Sequence, residues 1–200
     1  MVSPRLQKVE TMKIWREWAM PNSETFKVEP IGLFVKGHLA KSKLSIGLFA
    51  RNGHWATITN DLSPETEAEF HMEALEFIEM LTSKKVRPDL AIFDPPYSLE
   101  QCSRSYQNVG RKVTMRDTQI FVRWTEHREA LARIMADDAT VLSFGWNSQG
   151  MGLKHGFELE EVMLVCHGGG HNDTICVAER RVQTRLQFPL DTQAGDSESA

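Results

Sequence analysis

Asp94-Pro95-Pro96-Tyr97-Ser98 follows directly on the apolar run Leu90-Ala91-Ile92-Phe93. A carboxylate, the carbonyl of a rigid diproline and an aromatic ring at the end of a buried strand can hold a planar, amine-bearing group. The acceptors bind it by hydrogen bonding and the ring by stacking. An exocyclic amine shares its lone pair with its ring and is a poor nucleophile. If Asp94 accepts one amine hydrogen and the Pro95 carbonyl the other, a tetrahedral nitrogen is favoured, with its lone pair aimed at an electrophile. Alignment then supplies most of the rate. Tyr97 would stack on the ring, a contact worth roughly 1–3 kcal/mol for a nucleobase. Read locally, Asp94-Pro95-Pro96 is only a strand-ending turn, so the surrounding pattern has to decide.

Other groups gather around that motif in sequence. Arg104, Arg111, Lys112, Arg116 and Arg123 are interleaved with Tyr106 and Phe121. This pattern suits phosphate contacts beside a base pocket, and equally suits a solvated loop and helix. Asn147-Ser148-Gln149, after Phe144-Gly145-Trp146, offers polar groups for a base edge or cofactor. Cys166, His167, His171 and Cys176 are of the right types for zinc. Two of them are adjacent and both cysteines fall in strand-like runs, so no metal site is expected. Cys102 reads as part of a loop beyond the aspartate motif, and no neighbouring feature activates it as a nucleophile.

Positioning these groups requires a sheet covered by helices, because short apolar runs alternate with longer amphipathic ones. Strands are expected over 43–49, 55–60, 88–93 and 139–144, with Asp61 closing the second. The runs 160–166 and 174–180 read as an antiparallel hairpin across Gly168-Gly169-Gly170. Ser63-Pro64 reads as a helix start, since serine caps free amides and proline has no N–H to leave unpaired. Phe70-His71-Met72 reads as a short edge strand leading into a helix from Ala74. The alternative is one longer helix with Ala74, Ile78 and Leu81 on one face. A further helix is expected over 125–135. The first thirty residues, with Trp15 and Trp18, read as a helical extension stopped at Met20-Pro21-Asn22-Ser23-Glu24. One domain over 1–190 and a disordered tail over 191–200 complete the layout. Ligands of such sheets bind at the carboxyl ends of the strands, where Gly47, Asp61 and Asp94 fall.

Composition bounds the function classes. The 200 residues carry 23 Lys and Arg against 27 Asp and Glu, a net charge of −4, so no whole-surface positive field announces a nucleic-acid partner. Three cysteines are too few and scattered for a disulfide framework, which points to a reducing, cytoplasmic setting. No stretch reaches the roughly 18 apolar residues of a membrane span.

Taken in order, these features resemble the adenine-N6 and cytosine-N4 DNA methyltransferases that use S-adenosylmethionine. Asp94-Pro95-Pro96-Tyr97 matches their Asp-Pro-Pro-Tyr motif without substitution. Phe49, Ala50 and Gly53 match the cofactor loop Asp-x-Phe-x-Gly-x-Gly, from which Gly47 and Arg51 depart. Asp61 stands where the family's acid holds the cofactor ribose, and Glu73 resembles the acid near its adenine. Residues 26–31, with Phe26 and Pro30, are similar to the segment over the methionine end. The resemblance implies a Rossmann-like class I methyltransferase α/β fold with a mixed, mostly parallel sheet ending in an antiparallel hairpin. It also implies methyl transfer to a flipped adenine in DNA, with RNA or cytosine as alternatives. Asp94, Pro95 and Tyr97 would be catalytic, and Pro96, Ser98, Arg104, Arg111, Lys112, Arg116 and Asn147 would meet the substrate. Because Gly47 brings no carboxylate and Arg51 adds bulk, weak cofactor affinity is expected. A homodimer sharing DNA contacts is compatible with the small size, and the departures leave room for an inactive binding module.

Overall fold

Four apolar residues in a row, Leu90–Phe93, are all buried, which requires cover on both faces of the strand they form. The computed structural model describes residues 11–110 and 120–182 and supplies that cover. In chain order the elements are β1 (Lys13–Trp18), α1 (Glu29–Leu39), β2 (Ser45–Gly47), β3 (Ile58–Asp61), β4 (Phe70–His71) and α2 (Ala74–Ser83). They continue with β5 (Leu90–Phe93), α3 (Leu99–Asn108), α4 (Ile120–Ile134), β6 (Thr140–Gly145), β7 (Phe157–Cys166) and β8 (Thr174–Arg181). The eight strands form one sheet in the order β1-β7-β8-β6-β5-β2-β3-β4. Neighbours from β4 to β6 are parallel, as are β1 and β7. Only β8 runs antiparallel, between β6 and β7. The expected mixed sheet with a terminal hairpin is thus present.

Strand alternation divides the core in two. Ala91 and Phe93 face α2 and α4, where Phe77, Ile78, Leu81, Leu131 and Met135 are buried. Leu90 and Ile92 face the other way, onto Ile31, Phe34 and Val35 of α1. Each such large side chain contributes roughly 1.5–3 kcal/mol by leaving water. β5 is therefore clamped from both sides, and the residue following it is held in a fixed place.

Three expectations are corrected. Residues 13–18 form a strand, not a helix. Lys13, Trp15 and Glu17 alternate with Ile14, Arg16 and Trp18, and the long partner β7 gives this period of two a ladder to join. Ser63-Pro64 opens a turn instead of a helix. Ser63 Oγ does accept the Glu65 N–H at 3.3 Å, as a cap would, but the chain reaches β4 within a few residues. Finally, Cys102 lies in α3 and not in a loop. The edge-strand reading of Phe70-His71 ahead of α2 matches what is observed.

The connection from β2 to β3 is a non-helical crossover over 48–57. It packs onto α1 through Trp55, whose ring would lie 3.6 Å from a Cβ built on Gly32. No helix among the described residues is long and apolar enough to cross a membrane.

Candidate functional site

The turn after β5 is pinned by its own side chains. Ser98 Oγ accepts the Gln101 N–H at 3.2 Å and so caps α3, while Gln101 Oε1 accepts the Tyr97 N–H at 2.7 Å. Ser98 thereby serves the turn itself, Pro95 is buried and Pro96 is half-buried. Held this way, Tyr97 turns its hydroxyl back to donate to Asp94 Oδ1. The Thr25 hydroxyl approaches the same carboxyl closely enough to favour its ionised form.

Burial pushes the Asp94 carboxyl up to about 6, against the opposing pull of the Tyr97 hydrogen bond, the Thr25 hydroxyl and the Arg51 charge. Burial and then the Asp94 charge drive the Tyr97 phenol up. The same two causes raise the buried Cys176 thiol, which makes it an inert neighbour. The result is a carboxylate with little water around it, already engaged with one donor and near the middle of its titration at pH 6. Such a group is suited to accept an amine hydrogen.

Beside it stands a residue that sequence reasoning passed over. The Trp146 ring lies 5.8 Å from that of Tyr97 at 59°, and 44% of Trp146 remains exposed. The two rings form an aromatic wall at the carboxyl ends of β5 and β6. Trp146 stands directly before the Asn147 loop, so its signal was a large aromatic at a strand end. Asn147 follows on the surface, its Oδ1 accepting the Gln149 N–H at 2.9 Å.

Gly47, Asp61 and Asp94 do converge, because β3, β2 and β5 are adjacent and parallel. Asp61 is occupied locally: Oδ2 accepts the Arg51 N–H at 2.9 Å and Oδ1 the Ser63 N–H at 2.9 Å. Arg51 sits at φ 51°, in the left-handed region. That explains the glycine in the family pattern, since a side chain there costs roughly 1–2 kcal/mol. Its guanidinium Nη1 donates to the Ser23 carbonyl at 2.8 Å, tying the loop to the segment before α1. The loop is fastened further by Ala50 N–H to Asn60 O at 2.9 Å and Gly53 N–H to Ala50 O at 2.8 Å.

An adenosylmethionine-type cofactor fits this place by residue type but not by volume in the present conformation. Phe26, Gly47, Phe49, Ala50, Gly53 and Trp55 enclose a cavity of only about 10 Å³. Small-molecule sites typically need roughly 300–1,000 Å³. Trp55 fills the space, since a Cβ on Gly53 would meet its Cδ1 at 2.6 Å. Phe26 stacks edge-on against Trp55 at 5.8 Å and Phe144 at 5.0 Å.

The remaining candidates scatter. Glu73 precedes α2 and accepts the Tyr106 hydroxyl at 3.3 Å, bridging α2 to α3. Pro30 lines a groove between α1 and β1 instead of the small cavity. Arg104 is largely exposed on α3 and pairs with Glu100 at 2.8 Å. Arg111, Lys112 and Arg116 lie outside the described residues. His167 is consumed by structure, with Nδ1 2.8 Å from Ala19 O and Nε2 2.9 Å from Thr174 Oγ1. No cluster of metal-ligating side chains occurs among the described residues.

No family model matches the sequence. No curated protein matches it either. Solved structures do match in shape. TrmN from Thermus thermophilus superposes with a TM-score of 0.50 at 10% identity, covering 76% of this chain and 48% of that one. A SAM-dependent methyltransferase-like protein from Streptococcus mutans gives 0.50 at 9%, covering 78% and 49%. SMU.776, a methyltransferase-like protein crystallised with SAH, gives 0.50 at 9%, covering 74% and 48%. The chain spans about half the length of these structures. Identity this low speaks for the fold alone, and the fold is the Rossmann-like class I methyltransferase fold.

Proposed function

We propose that this chain transfers a methyl group from S-adenosylmethionine to the N6 amine of adenine in DNA. The observation that carries the reading is Asp94, a desolvated carboxyl at about 6 on the carboxyl end of the central strand, beside the Tyr97 and Trp146 rings. When bound, the cofactor supplies a methyl already activated by its sulfonium. Gly47, Ala50 and Gly53 would border it, Asp61 would face its ribose hydroxyls, Glu73 its adenine, and Phe26 its methionine end.

The chain's own groups then do the rest. An incoming amine donates to Asp94 Oδ1 in place of the Tyr97 hydroxyl. Released from that bond, the Tyr97 ring can stack on the base with Trp146 beside it. The Pro95 carbonyl accepts the second amine hydrogen. As the nitrogen becomes tetrahedral it gains positive charge, and the dry Asp94 carboxylate stabilises that charge more than water would. It can also take the proton the nitrogen must lose. Reaching this pocket from a duplex requires flipping the base, and Asn147 and Arg104 with Arg111, Lys112 and Arg116 are the candidates for guiding it.

Incubation with labelled cofactor and DNA, followed by nucleoside mass spectrometry, tests the proposal. N6-methyladenine is the expected product. N4-methylcytosine alone overturns the choice of base, and label appearing only in RNA overturns the choice of polymer. A second reading, a nucleic-acid- or partner-binding protein with weak or no transfer, is favoured by the closed 10 Å³ cavity and by Arg51. Calorimetric titration with the cofactor separates the two. Measurable binding, weak as it is expected to be, supports the enzyme, and none in folded protein supports the binding module.

A further inference from the structure

β1 closes one end of the sheet with only one neighbour, so its outer edge is unpaired among the described residues. The Ala19 N–H reaches inward to Cys166 O at 3.2 Å. Strand alternation therefore turns the N–H and C=O groups of Met12, Ile14, Arg16 and Trp18 outward. Bare edges of this kind are normally shortened, bulged or covered. Here Met12 (47% exposed), Ile14 (63%), Trp18 (69%) and Met20 (72%) make the same segment the most apolar exposed stretch among the described residues.

We infer that this edge is the interface of a homodimer, in which two copies of β1 pair antiparallel about a two-fold axis. The argument is self-complementarity. A two-fold perpendicular to the sheet must place residues of the same parity opposite each other. With Trp15 opposite Trp15, Ile14 and Arg16 exchange both backbone hydrogen bonds, and Met12 meets Trp18. Lys13 then falls opposite Glu17, and by symmetry Glu17 opposite Lys13. Within one chain Glu17 has no ion-pair partner among the described residues, while Lys13 already approaches Glu161 on β7 at 4.0 Å. The pairing thus builds a row of alternating charge across the junction. Shifting it by two residues one way sets Arg16 against Arg16. Shifting it the other way leaves Glu17 opposite Thr11. Only the central register sets Lys13 against Glu17 at both symmetric positions and keeps the two Arg16 side chains apart.

The dimer joins two eight-stranded sheets into one. It also brings together the two grooves of about 560 Å³ that lie between α1 and β1, lined by Trp15, Glu17, Leu33 and Phe34.

Sedimentation equilibrium on the full chain tests the inference. The parent protein should be dimeric at micromolar concentration. Glu17→Lys or Lys13→Glu alone turns both symmetric pairs repulsive and should weaken the dimer about tenfold or more. The double variant Lys13→Glu/Glu17→Lys restores opposite charges and should recover it. Unfolding midpoints measured alongside distinguish a lost interface from a lost fold. A monomeric parent overturns the inference, as does a dimer indifferent to both single reversals, or a double variant as weak as the singles while still folded.

Discussion

Asp94 is a carboxyl kept short of water and fastened to a phenol, and its chemistry can be tested one atom at a time. Asp94→Ala removes both acceptors, whereas Asp94→Asn keeps the shape and one acceptor. If Asp94 holds the amine, both should lower single-turnover transfer by a hundredfold or more, about 3 kcal/mol of barrier, with cofactor affinity little changed. Equal rates in folded, cofactor-bound variants would remove Asp94 from the mechanism. The pH dependence has a definite sign. Transfer needs the carboxylate, so the rate should fall as pH drops through about 6. Tyr97→Phe removes a hydrogen bond that holds this value down, so the acid limb of its rate profile should move to higher pH while the stacking ring remains. Stability runs the other way. The carboxyl titrates higher in the fold than its ordinary 3.8, so the native state binds the extra proton. The stability that proton confers is present below 3.8 and is lost as pH rises through about 6, at most about 3 kcal/mol. Asp94→Asn should therefore unfold at a higher temperature than the parent at pH 8 and not at pH 4. A scan of melting temperature against pH checks it. The motif at 94–97 was legible in the sequence because it is contiguous. Thr25, Arg51 and Trp146 were not, since each reaches Asp94 or Tyr97 from another element.

At the level of elements, the informative one is the crossover over 48–57. A helix there would leave its N-terminus facing the glycine loop. The extended segment instead lays Trp55 against the small cavity bordered by Gly47, Ala50 and Gly53, with Lys36 5.5 Å above the ring. On the proposed function, entry of the cofactor there requires Trp55 to leave. Trp55→Ala should tighten S-adenosylmethionine binding several-fold, even as loss of the buried ring lowers the melting temperature. Calorimetry and thermal unfolding on the same preparation read both, and unchanged or weaker binding would show that the indole is not in the way. The strands from residue 43 onward and the helices α2 and α4 were readable because their hydrophobic periods match their elements, whereas α3, almost wholly polar, was not. β1 was missed because its alternation mixes charge with tryptophan, and only pairing with β7 gives that pattern a meaning. Ser63-Pro64 carried a true capping signal, but the chain left no length for the helix it announces.

For the molecule as a whole, the mixed sheet and its terminal antiparallel hairpin follow from the alternation of apolar runs with amphipathic ones, so the fold class was legible in the sequence although β1 was not. The small volume of the cavity beside Gly47 and Gly53 was not, because it depends on how one tryptophan packs against α1 and Phe26. The fold and the site are accordingly separable. Glu179 illustrates this: buried in β8, it accepts the Gly152 N–H at 2.7 Å, and also the Met151 N–H, and so anchors the connection between β6 and β7 just ahead of its short 3-10 helix, Leu153–His155. Burial raises its carboxyl, with those backbone bonds and Arg128 opposing. Glu179→Gln should cost roughly 1–3 kcal/mol in denaturant unfolding, because an amide makes weaker bonds to the two N–H groups and turns a donor into the same space. Intrinsic transfer chemistry at Asp94 should survive it.

The pairing of β1 with β7 joins Lys13 to Glu161, residues far apart along the chain. During synthesis the segment bearing Ile14, Trp15 and Trp18 has to wait, unpaired, until the strand that receives it has been made. It carries two tryptophans and an open backbone through that interval. The same sequence separation makes the last ladder to form a non-local one, and such closures are slow. Shortening the wait by permuting the chain so that β1 follows β8 should speed refolding without altering the native sheet.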